Sequence, residues 1–174
     1  AHTLAEKSPE RATRIVDSLI IELAKATSPA LTGRYLAALG ATASERALPT
    51  ISRYLDDRQS QLRAAAVSAL GLVKTGAADD LLLRVLGADP ESMVRYQCVV
   101  VLHERKMTPA AFRVQQRVFG TDKDENVRLA ILSNLWQARE DFPEARTLVE
   151  RAALNDSSKA IRLAARSVLT GARS

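Results

Sequence analysis

Asp57-Arg58-Gln59-Ser60-Gln61-Leu62-Arg63-Ala64-Ala65-Ala66-Val67-Ser68-Ala69-Leu70 is the stretch on which the reading of this chain turns: an acid, four polar residues, then an apolar run opening on Leu62-Arg63. The same frame returns at Asp89, Val94, Arg95 and Leu102, at Asp122, Val127, Arg128 and Leu135, and at Asp156, Ile161, Arg162 and Leu169. Composition alone does not generate four such copies. Successive arginines of the frame lie 32, 33 and 34 residues apart, the length of one helical hairpin. A hairpin repeated at that period cannot bury its apolar side alone, so it stacks on its neighbours. The expectation is an all-α, right-handed α-solenoid of about five helical hairpins, read as a single repeat domain over residues 1–174 with repeats near 8–43, 44–76, 77–107, 108–140 and 141–174.

The rest of the chain agrees with helix. Hydrophobic residues make up 47% and charged residues 26%, a folded and not a disordered balance. Only seven Gly and six Pro interrupt sequences rich in Ala and Leu, which favours helix over strand. Ser8-Pro9-Glu10, Ser28-Pro29, Asp89-Pro90-Glu91, Thr108-Pro109 and Phe142-Pro143-Glu144 carry start signals, the first and third of them cap, proline and acid in order. The N-terminal residues 1–7 carry no pattern and are expected to fray. Leu31 and Leu39 keep the frame of a first, degenerate copy in which Thr32 replaces the arginine and Ala26 the acid, and Gly40 is expected to stop that helix.

The second copy, with Pro49, Asp57, Leu62 and Arg63 at its offsets, resembles the HEAT repeat, particularly the short bacterial form whose second helix ends in Ala-Leu-Gly, as Ala38-Leu39-Gly40 and Ala69-Leu70-Gly71 do. The resemblance covers about residues 28–171 and implies a solenoid that binds or scaffolds other proteins. Only one copy carries the first-helix proline and only two keep the closing glycine. Within the frame, the aspartates Asp57, Asp89, Asp122 and Asp156 can accept backbone N–H groups in the turn. Arg63, Arg95, Arg128 and Arg162 lie close enough to pair with an aspartate of their own or the adjacent repeat, so this ladder is read as structural.

Catalytic chemistry is not legible. Two His residues leave few ways to build a nucleophile, base and orienting group. His2 falls in the fraying end, and Cys98 and His103, five apart, project from different faces of one helix. Cys98 reads as core. There is no Gly-rich phosphate loop and no metal-binding or paired-acid motif beyond the repeating turn aspartate, so no cofactor is expected and the chain reads as no enzyme. The lone cysteine asks for no oxidising compartment, and the longest apolar run, Cys98 to Leu102, falls far short of the roughly 20 residues of a membrane span. Location stays open, with the cytoplasm favoured and a monomer expected.

A binding surface is sought on the second helices, at positions two, six and nine after the aliphatic anchor. Copies two and five are mostly small there, at Ala64, Ser68 and Gly71 and at Leu163, Ser167 and Thr170. Copies three and four carry Tyr96, Val100 and His103, then Leu129, Ser133 and Trp136. Tyr96, Val100, His103, Leu129 and Trp136, edged by Arg95, Arg105 and Arg128, form a candidate groove for a helix or extended segment of another protein. The competing reading has Tyr96 and Trp136 filling gaps between repeats. Two alternatives stand beside it. With a net charge of +5, Arg113, Arg117, Lys123 and Arg128 are candidates for a nucleic-acid surface, possible but not favoured because the cations are scattered. The run from Ala37-Ala38-Leu39-Gly40 through Ala47-Leu48-Pro49 to Tyr54-Leu55 is similar to the helical region of large lipid-transfer proteins, which implies a supporting helical layer.

Overall fold

The computed structural model describes residues 7–171, with side chains over 10–171. His2, most of the expected frayed end and the Ser8 cap side chain lie outside the described residues. Among those described, ten α-helices follow one another: α1 (Lys7–Ala24), α2 (Pro29–Ala41), α3 (Leu48–Arg53), α4 (Ser60–Leu72), α5 (Gly76–Ala88), α6 (Ser92–His103), α7 (Pro109–Thr121), α8 (Glu125–Gln137), α9 (Pro143–Asn155) and α10 (Lys159–Thr170). No strand occurs among them, and the fold is an all-α solenoid. The helices form two compact units, the first ending at Leu82 and the second beginning at Leu83, within α5.

In the first unit α1 pairs with α2, and the second helices α2 and α4 pack directly on each other. Ser28 caps α2 by accepting from Leu31 N at 3.3 Å, with Pro29 in the first turn. Gly40 does not stop α2, which runs on to Ala41. A Cβ at Gly40 would lie 2.6 Å from both Cα and O of Ala69, so glycine is required there by the close approach of α4. The first helix of the next repeat is broken into a 3₁₀ turn (Glu45–Ala47), the short α3 and a second 3₁₀ turn (Tyr54–Asp56). Pro49 sits in the opening turn of α3, where its missing N–H has no partner to lose. Leu36, Leu39, Ile51, Val67 and Leu70 form the buried centre of this unit.

In the second unit α7 pairs with α8 and α9 with α10, while the second helices pack as α6 on α8 and α8 on α10. The aliphatic anchors Val94, Val127 and Ile161 are fully buried, as are Leu86, Ile131 and Leu135. Thr108 and Ser158 cap α7 and α10 at 3.1 Å, and Gly171 closes α10 in the left-handed conformation at φ 68°. Asp89 is not the cap of α6. It lies two residues before that helix's N-cap, Glu91, and accepts from Glu91 N at 2.9 Å to make a turn. The rings of Phe112 and Phe142 stack at 4.9 Å.

Candidate functional site

All four frame aspartates make the same turn. Asp57, Asp89, Asp122 and Asp156 each accept from the backbone N–H two residues on, at 2.8–2.9 Å, and so set the entry into the second helix. The frame arginines reach back into these turns. Nη1 of Arg63 donates to the carbonyls of Asp57 and Arg58, that of Arg95 to Asp89 and Pro90, and that of Arg162 to Asp156 and Ser157. Arg128 departs from the pattern, donating from Nε to Phe119 O at 3.0 Å and lying over the Phe119 ring.

The outward edges of two arginines engage the next aspartate. Arg95 holds Asp122 in a bidentate pair at 2.7 and 2.7 Å, and Nη2 of Arg128 holds Asp156. In the Arg95–Asp122 pair the side chains are 16% and 3% exposed. Burial pulls the Asp122 carboxyl upward, and the bonds from Arg95 and the Asp124 N–H outweigh it, leaving Asp122 below the usual carboxylate range. Arg95 in turn is raised by its bond to Asp122.

The candidate groove residues do not form one patch. On α6, Tyr96 and Val100 are exposed, and Met93, which the frame positions do not include, extends them by one turn into a stripe at i, i+3 and i+7. Beside the stripe lies a cavity of about 310 Å³ lined by Ser92, Met93, Tyr96, Asp124 and Asn126. Leu129, on α8, is half-buried. Trp136 is also half-buried, with the Arg139 guanidinium 4.6 Å above its ring and Arg139 Nη1 bonded to its carbonyl.

His103 belongs to a second cavity, of about 220 Å³, with Arg105, Lys106, Met107, Asn134 and Asp141 among its lining. Behind it runs a buried polar chain. Asn134 donates from Nδ2 to Val99 O at 3.1 Å and to Gln115 Oε1 at 3.0 Å. Val99 O can only accept, so Asn134 Oδ1 faces His103 Nδ1 at 2.7 Å and must receive the imidazole proton. Nε2 is the His103 ring nitrogen left outside this bond. Of the basic rim, Arg95 and Arg128 are committed to aspartates, and Arg105 is half-buried. Of the cations considered for nucleic acid, Arg113, Arg117 and Lys123 are exposed, with Arg117 Nη2 folded against Gly87.

Cys98 is buried, and that burial, helped by the charge of Asp89, pushes its thiol well above the usual range. Among the described residues no group of three or more His, Cys, Asp or Glu is placed to hold a metal ion, and no helix is long and apolar enough to cross a membrane.

A family model described as HEAT repeats matches residues 16–103. The chain belongs to the HEAT-repeat family. Its matched span runs from within α1 to the end of α6, and the aspartate–arginine frame continues beyond it through Arg128 and Arg162. No curated protein matches. Among solved structures, a chain from the complex of CpcE and CpcF of phycocyanin lyase from Nostoc sp. PCC7120 is similar, with a TM-score of 0.65 and 18% identity over 90% of this chain and 99% of that one. At that identity the likeness concerns the HEAT-like fold alone.

Proposed function

We propose that this chain is a non-enzymatic binding or scaffolding module, monomeric by itself, which receives a segment of another protein on the face of its second helices centred on α6. The observation that carries the reading is the stripe Met93, Tyr96 and Val100, exposed by 53%, 42% and 42% along a single helix face. Isolated exposed apolar residues are ordinary, but three at helical spacing beside a cavity offer the anchors on which a helical or extended segment docks. Half-buried Leu129, on the neighbouring α8, extends the surface. The inertness of Cys98 and the commitment of His103 Nδ1 to Asn134 support a binding role over a catalytic one. The solved relative is likewise one member of a two-protein complex.

Comparison of proteins captured by wild type, Tyr96→Ala and Trp136→Ala tests this, with each variant's melting temperature recorded. Tyr96→Ala is expected to lose the bound protein at an unchanged melting temperature. Trp136→Ala is expected to lower the melting temperature, because its ring is packed under Arg139. Retention of the same proteins by Tyr96→Ala contradicts the reading.

A further inference from the structure

Resting on the docking surface just described, we propose that the cavity between α6 and the start of α8 takes a lysine or arginine side chain of the partner segment. Its lining is apolar and aromatic at Met93 and Tyr96 and polar at Ser92, Asp124 and Asn126. A cationic side chain has the matching halves, a methylene stem for the thioether and ring and a charged head for the carboxylate. The volume of about 310 Å³ is ample for one such chain.

Asp124 differs from the other turn carboxylates of this unit in what holds it. Asp122 and Asp156 are neutralised by Arg95 and Arg128. Asp124 accepts from the N–H groups of Asn126 and Val127 at 2.9 and 3.2 Å and from the Ser92 hydroxyl, all neutral donors. These bonds, that of Ser92 first, hold its carboxyl below the usual range, so it stays ionised at neutral pH. Exposed Glu91 and Glu125 flank it, against exposed Lys123 and against Arg95, which feels the Asp124 charge but is bound to Asp122. The chain as a whole is cationic at +5, but charges farther than about 8 Å are largely screened at physiological ionic strength. The local carboxylates therefore decide which charge is accepted, and the surface selects a basic partner segment.

The full chain is titrated with n-butylammonium and n-propylguanidinium, the side chains of lysine and arginine in isolation, and with 1-butanol as the uncharged control. NMR follows the Met93 methyl and the Asn126 amide. Both cations are expected to shift these signals saturably, at least 10-fold tighter than butanol, and Asp124→Asn is expected to reduce that preference to less than 2-fold. Asparagine keeps the cap of α8 by accepting the same amides, so this variant removes charge without removing the helix start. Equal binding of butanol and the cations, or no shift with any probe, overturns the cationic pocket. Neither result touches the docking surface itself, which stands or falls on the Tyr96→Ala comparison.

Discussion

Arg95 joins three pieces of backbone and side chain at once, bonding the carbonyls of Asp89 and Pro90 in its own turn and the carboxylate of Asp122 in the next. Removing it leaves Asp122 nearly buried with its counter-charge gone, a change that costs about 3–5 kcal/mol in fully buried pairs and, with the arginine partly wet here, about 3 kcal/mol. Arg95→Gln is therefore expected to lower the urea midpoint markedly in equilibrium unfolding. The pH dependence follows from the depressed folded-state pKa of Asp122. Its contribution is fully present above the unfolded value of about 3.9 and is lost as pH falls through the folded value. Wild type should lose stability below about pH 4 more steeply than Asp122→Asn. The identity of these residues was legible in the sequence because acid and arginine recur at fixed offsets. The detour of Arg128 to Phe119 was not, since it depends on an aromatic ring that only the folded hairpin brings beneath the guanidinium.

At the scale of the element, α2 carries two glycines with opposite demands. Gly33 has nothing within 4 Å of where a Cβ would stand, and Gly40 has the Ala69 backbone at 2.6 Å. Gly33→Ala is expected to stabilise by up to about 1 kcal/mol through helix propensity alone. Gly40→Ala is expected to destabilise by about 1–3 kcal/mol, because backbone atoms of α4 cannot move aside as a flexible side chain would. Paired thermal melts check both signs, and a stabilising Gly40→Ala would mean that α2 and α4 are not in contact there. A glycine at the end of an apolar run reads as a stop signal, and that reading failed because the space it leaves belongs to another helix. Helix positions were readable from periodicity and caps. The break of the second hairpin's first helix into α3 and its 3₁₀ turns was not, although Pro49 marked the place.

Across the whole chain, one frame produces equivalent backbone positions with unequal surroundings. Tyr96 and His103 were expected to act together, yet they line separate cavities, and the exposed His103 is tied by Nδ1 to the buried Asn134. Trp136, equivalent in sequence to His103, is covered by Arg139 from the turn that follows it. Met93 stands one position before the aliphatic anchor Val94, outside the frame positions that follow it, and its spacing of three from Tyr96 is the signal the sequence carries. Site-specific photo-crosslinking tests the binding face most directly. A photoreactive phenylalanine is placed at position 96 or 100 of α6, or at exposed 113 of α7 or 146 of α9, in otherwise intact protein in its source lysate. Crosslinked partner is expected from positions 96 and 100 and not from 113 and 146; equal crosslinking from all four, or adducts from 113 and 146 alone, would contradict the assignment.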